Sequence, residues 1–136
     1  MSGFKFSAAS RAQLSTCDVR LQRVAEEALA TSEIDFGIAC GHRGQAEQEE
    51  CCAKGLSKTP WPTSKHNASP SKAFDFYPVF NNVAQWKDHQ AFKDVAHHLL
   101  TTADRLGIRL RWGGDWNCNG IADEKFVDMP HIELKD

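Results

Sequence analysis

Between residues 18 and 31 the apolar side chains fall at Leu21, Val24, Ala25, Ala28 and Leu29. Steps of three and four predict an amphipathic helix, with Asp18 as its N-cap. A shorter helical turn is expected after Ser7. The stretch EIDFGIACG then alternates Ile34, Phe36, Ile38 and Cys40, which predicts a strand ending at Gly41. GQAEQEECCAKG is made of helix formers and closes at Gly55. LSKTPWPTSKHNASPS holds three prolines and four serines and reads as loop. AFDFYPVF reads as a short strand. From Trp86 to Gly107 a long helix is predicted, with Phe92, Val95, Ala96, Leu99, Leu100, Ala103 and Leu106 on one face. IRLRW alternates again, GGDWNCNGIADE is loop, and PHIELK is a final strand. Interleaved helices and short strands predict an α+β fold, a small and mostly antiparallel sheet with helices packed on one face.

Composition narrows the picture. A chain of 136 residues, 41% hydrophobic and 25% charged, is expected to form a single domain over residues 1–136. A net charge of −2 offers no broad basic surface, so nucleic acid is not an expected partner. No apolar run is long enough to span a membrane. The opening MSGFKFSAASRAQLS has no apolar leader segment, so cytoplasmic synthesis is expected. Five cysteines, Cys17, Cys40, Cys51, Cys52 and Cys118, are an odd set without a C-x-x-C pair, and are read as reduced thiols.

The candidate chemistry lies in two separated stretches, SKHNASPSKAFDFYP and DMPHIELK. His66 precedes a strand, Asp75 lies on it, and His131 starts the final strand. Two histidines and a carboxylate form a common zinc set that leaves one position open for water. A histidine at a strand end is also an ordinary surface or hydrogen-bonded residue, and spacing alone does not separate the two. Such a site needs a base. Asp128, three residues before His131, is the nearest candidate, and Glu133, on the same strand face as His131, is the next. His42, His89, His97 and His98 have no partner at ligand spacing.

Taken in order, FKFSAASRAQLSTCDVRLQRVAEEAL, GHRGQAEQ, SKHNASPSKAFDFYP, LRWGGDWN and DMPHIEL resemble the phage endolysins of the L-alanyl-D-glutamate peptidase type. That group also contains zinc D-alanyl-D-alanine dipeptidases and carboxypeptidases, and shares its fold with the hedgehog signalling domain. The resemblance spans nearly the whole chain. It implies a hedgehog/D,D-peptidase-like fold, zinc on His66, Asp75 and His131, and Asp128 as base. Arg43 matches the arginine that stabilises the substrate carbonyl as it becomes an oxyanion; an arginine at a strand exit is otherwise a solvated charge. The broad group pattern S-x-H-x-x-G-x-A-x-D has six residues between His and Asp, whereas eight intervene here and the glycine is replaced. A-x-D is kept at Ala73 to Asp75, so the extra residues are expected to bulge from the loop.

A second constellation sits in DWNCNGIADE. Asp115, Asn117 and Asn119 stand at positions 1, 3 and 5 of an EF-hand-like loop, with Gly120 at 6 and the Ile121 carbonyl at 7. Phe126 occupies position 12, where a glutamate is usual, and Asp123 or Glu124 would complete a calcium shell. The same residues also suit a polar Asn-Gly turn. Trp112 is expected in the core. Trp116, Trp61 and Ser64 are candidates for the rim or floor of a peptide groove.

The resulting expectation is a monomeric zinc metallopeptidase, a phage endolysin that cuts the L-alanyl-D-glutamate bond of the peptidoglycan stem peptide and lyses the host cell. It would wait in the host cytoplasm until the inner membrane is opened, then act from the periplasm on the wall, with calcium as a possible regulator. The alternatives are a D-alanyl-D-alanine carboxypeptidase or dipeptidase of the same group, and a non-enzymatic zinc-containing binding domain.

Overall fold

A computed structural model describes residues 3–55, 61–62, 64–114 and 129–135. The first two helices are α1 (Ala8–Leu14) and α2 (Val19–Thr31). The Ser7 hydroxyl caps α1 by accepting from the Ser10 N–H, and the Asp18 carboxylate caps α2 by accepting from Arg20. Strand β1 (Asp35–Cys40) and helix α3 (Gln45–Ala53) follow, then β2 (Ala73–Phe80), β3 (Val83–Ala84), α4 (His89–Leu106), β4 (Leu110–Trp112) and β5 (His131–Leu134). The strands form one five-stranded sheet in the order β1-β2-β5-β4, with β3 paired to β2, and every strand pair is antiparallel. The α+β architecture expected from the sequence is the one found.

Three details differ from the sequence reading. The long helix begins at His89, not at Trp86, because Asp88 supplies a better cap: its carboxylate accepts from the Ala91 N–H at 3.0 Å. Trp86 instead stacks on Tyr77, with ring centroids 5.0 Å apart. The proline- and serine-rich stretch is not all loop, since Lys65–Asn67 form a 3-10 turn. β3 was not foreseen. It folds back on β2 through Asn81 and Asn82, whose φ angles of 52° and 64° suit a two-residue hairpin turn that asparagine tolerates.

The core lies between the sheet and α1, α2 and α4. From α2 come Leu21, Val24, Ala25, Ala28 and Leu29, and from α4 Phe92, Val95, Ala96, Leu99 and Ala103. The sheet contributes Phe36, Ile38, Phe74, Phe76, Trp112, Ile132 and Leu134. α3 adds no residue to this cluster; its buried side chain is Gln48. Gly107 ends α4 at φ 75°, a left-handed cap open to glycine at no steric cost. Among the described residues no helix is long and apolar enough to cross a membrane.

Phe76 is fully buried, with its ring 6.4 Å from Phe36 and 5.5 Å from Phe92. It joins the sheet to α4 one residue beyond Asp75. Phe76→Ala is expected to cost about 3–5 kcal/mol of stability. Urea unfolding followed by circular dichroism measures this, and a loss below about 1 kcal/mol would show that the aromatic cluster does not hold the sheet to the helix.

Candidate metal centre

In the β2–β5 ladder Asp75 lies directly opposite His131. Side chains alternate across a strand, so Phe74, Phe76 and Ile132 enter the core while Asp75 and His131 share the other face. Cys40 of β1 flanks Asp75 on its other side, just after an irregularity in the register.

His66 arrives from outside the sheet. The Ser64 hydroxyl accepts from the His66 N–H, which starts the 3-10 turn, and the Asn67 side chain accepts from the Ser64 N–H at 3.1 Å. Ser64 thus has a capping role in building the turn. The Arg43 N–H donates to the His66 carbonyl at 2.7 Å, and the Lys72 N–H donates to the Lys65 carbonyl at 3.0 Å. The longer His-to-Asp segment therefore closes on itself before β2 begins. Within it, Ser71 is anchored to the α1–α2 junction: its N–H donates to Thr16, and its carbonyl accepts from Asp18.

These elements bring His66, Asp75 and His131 together. His66 Nε2 is 3.2 Å from Asp75 Oδ1 and 3.2 Å from His131 Nδ1, and His131 Nδ1 is 3.5 Å from Asp75 Oδ1. The edge between two ligands of a tetrahedral ion bound at about 2.0–2.1 Å is about 3.3 Å, so this triangle has the size such an ion requires. Both rings are oriented from behind. His66 Nδ1 lies 2.7 Å from the Gly41 carbonyl, and His131 Nε2 lies 2.8 Å from Glu133 Oε1. With the protons on those outer nitrogens, the inner ones present lone pairs to the triangle. A Cβ at Gly41 would run into the Gln13 carbonyl and the Thr16 hydroxyl, so the backbone here approaches closer than a side chain permits.

Charge is concentrated in little water. Burial opposes a charge on His66, but the Asp75 carboxylate outweighs it and holds the pKa up at about 10. Burial likewise opposes ionisation of Asp75, yet the two histidines hold its carboxyl far below the usual range. His131 is shifted upward, with burial opposed by bonds to Asp75 and Glu133.

Arg43 is at the same place, and is not a solvated charge. Its guanidinium is 3.4 Å from Asp75 Oδ2, donates to Gln48 Oε1 at 3.0 Å and contacts Cys40 Sγ at 3.6 Å. Asp75 thus turns one oxygen to the histidines and the other to the arginine. Gln48, with no exposed surface, also accepts from the Asn67 amide at 3.3 Å, and the same amide donates to the Arg43 carbonyl at 2.9 Å.

Glu133 is not poised as a base. Its carboxylate sits behind His131, on the ring nitrogen facing away from the triangle, and is paired with Arg111 at 2.7 Å. The remaining histidines stay apart from the cluster: His42 bonds the Ala68 carbonyl, His98 the Ala28 carbonyl, and His97 packs edge-on to Trp112. Trp112 is buried, as expected. Cys17, Cys40 and Cys51 are free thiols. Asp128, Trp116, Cys118 and the calcium-loop candidates Asp115, Asn117, Asn119, Ile121, Asp123 and Glu124 lie outside the described residues.

Residues 1–135 match the family described as phage L-alanyl-D-glutamate peptidase. The chain belongs to that family. One relative, the L-alanyl-D-glutamate peptidase of Escherichia phage T5, is 37% identical over 135 residues, covering 96% of this chain and 98% of the relative. Among solved structures, the Serratia marcescens L-Ala D-Glu endopeptidase ChiX superposes with a TM-score of 0.78 at 28% identity, over 96% of this chain and 90% of that one. The phage peptidase family is therefore matched by sequence, and the fold by an endopeptidase.

Gln48, Asn67, Gly41, Glu133 and Arg111 also support the cluster, through contacts that no sequence motif marks. The period-2 placement of Glu133 beside His131 was the one signal available. The others are brought in by tertiary contacts.

Without metal, the His66 pKa of about 10 stands above its unfolded value of 6.5. The corresponding stability is complete below pH 6.5 and is lost as pH rises through 10. Metal-free protein is expected to melt at progressively lower temperature across that range. Protein loaded with a divalent metal, whose histidines are neutral at every pH in the window, should change far less. Scanning calorimetry with and without chelator checks this, and parallel curves would contradict the coupling.

Proposed function

We propose that this chain is a zinc-dependent endolysin that hydrolyses the L-alanyl-D-glutamate bond of the peptidoglycan stem peptide. The observation that carries the metal is the His66–Asp75–His131 triangle, with 3.2–3.5 Å between donor atoms. Two imidazoles and one carboxylate oxygen are a donor set that zinc favours over calcium or magnesium. Zinc bound there supplies a Lewis acid and lowers the pKa of the attacking water toward about 7.

The chain's own groups do the rest. Asp128, three residues before His131, takes a proton from the water as it attacks the alanyl carbonyl. It returns that proton to the departing amine of D-glutamate. Arg43 donates to the carbonyl oxygen as negative charge develops on it; a guanidinium offers a planar fork of donors for this. Gln48 and Asn67 hold Arg43 in place by the bonds described above. The resemblance supports cytoplasmic residence until the inner membrane opens, followed by attack on a thin wall from the periplasm.

His66→Ala and His131→Ala are expected to lose both zinc and activity, because two ligands do not retain a catalytic ion. Asp128→Asn should keep full zinc while slowing turnover by at least about 10²-fold. Metal analysis, with product analysis on purified muropeptides, tests the set. A new N-terminal glutamate supports the assigned bond, whereas free D-alanine identifies a carboxypeptidase. Full zinc in both histidine variants would remove the site.

Calcium control rests on the sequence of Asp115, Asn117, Asn119, Ile121, Asp123 and Glu124. An ordered loop at that point would steady the segment leading to Asp128 and His131. Calorimetric titration of calcium into wild type and Asp115→Ala should give heat only in the wild type, together with faster lysis. No heat at millimolar calcium would leave the loop a polar turn.

A further inference from the structure

His131 meets the triangle through Nδ1, whereas His66 uses Nε2. An imidazole offers Nδ1 as a ligand only when its proton sits on Nε2, and a buried N–H needs an acceptor. His131 is 6% exposed, and the acceptor is Glu133 Oε1 at 2.8 Å. Glu133 is itself 5% exposed, so its charge also needs a partner. Arg111, its antiparallel neighbour on β4, donates to Oε2 at 2.7 Å. Lys65 comes within 4.0 Å of the same oxygen, and its ammonium donates to the Leu134 carbonyl at 2.6 Å. One carboxylate therefore ties together the strand carrying His131, the strand beside it and the turn carrying His66.

We propose that Glu133, held by Arg111 and Lys65, is the positioning residue that selects the ligating nitrogen of His131 and thereby sets metal affinity. It acts through His131 and transfers no proton in the reaction, since both of its oxygens lie on the far side of the imidazole from the triangle. This assignment rests on the reading of His66, Asp75 and His131 as metal ligands.

The test compares wild type, Glu133→Gln, Glu133→Ala and Arg111→Ala in the full chain, using zinc alone as probe and a competing chromogenic chelator. Glu133→Gln keeps the shape and an acceptor oxygen but loses the charge, and is expected to bind zinc about 10–100-fold more weakly. Glu133→Ala should lose more, and Arg111→Ala should fall in the same range as Glu133→Gln. At saturating zinc, Glu133→Gln should regain kcat to within about twofold, with an unshifted pH profile, because its defect is in loading and not in proton transfer. In zinc-loaded samples, nitrogen-15 shifts of labelled histidine should show His131 ligated through Nδ1 in wild type and mixed in Glu133→Ala. Should Glu133→Gln not fold, Arg111→Ala carries the same affinity comparison. Equal zinc affinity in wild type and the variants overturns the assignment, as does a kcat that stays low at full zinc occupancy with a displaced pH profile. A wild type that takes up no zinc overturns the ligand reading, and this assignment with it.

Discussion

The pairing of β2 with β5 is the constraint on which the molecule depends. Asp75 faces His131 in that ladder, and Phe74 faces Ile132. A slip of one residue would exchange the two faces, exposing aromatic rings and driving a carboxylate and an imidazole into the core. The apolar gain of burying Phe74, Phe76 and Ile132 therefore also fixes the spacing of the polar cluster on the opposite face. Stability and site geometry are here set by the same hydrogen-bonded register, and a mutation that loosens one disturbs the other.

The cluster itself is an electrostatic compromise. Two buried imidazoles sit against one partly exposed carboxylate, and Arg43 shares that carboxylate from the other side. In the absence of a metal the Asp75 carboxylate favours protons on these rings against the opposing effect of burial, and both histidines are shifted upward. A cation entering the triangle displaces those protons, so its apparent affinity strengthens as pH rises.

Much of this is legible in the amino-acid sequence. The α2 and α4 faces, the alternation in β1, β2 and β5, and the Asp18 cap all follow from local periodicity and capping chemistry. The fold class followed from their order along the chain, and His66, Asp75, His131 and Arg43 were picked out by motif. What escaped was non-local or nearly isoenergetic. The start of α4 turned on a competition between helix propensity at Trp86 and the cap at Asp88. β3 is two residues long, too short for any period to register. The 3-10 turn bearing His66 was hidden in a proline-rich stretch whose composition favours loop. Gln48, Asn67 and Gly41 act through contacts across the fold, and Glu133 was legible as a neighbour of His131 but not as its partner, because which side of a ring a carboxylate occupies has no sequence signature.

The bonds between Ser71 and the α1–α2 junction carry a further meaning. Asp18 starts α2 with its side chain and holds the Ser71 carbonyl with its backbone N–H. The segment joining the first two donor residues is thus fastened to the beginning of the chain, across a long stretch of sequence. Such a contact joins parts of the polypeptide that are far apart in sequence, so it exists only in the tertiary fold and not in either segment alone. The donor triangle is consequently a property of the whole fold, since none of the segments that supply His66, Asp75 and His131 holds the arrangement by itself.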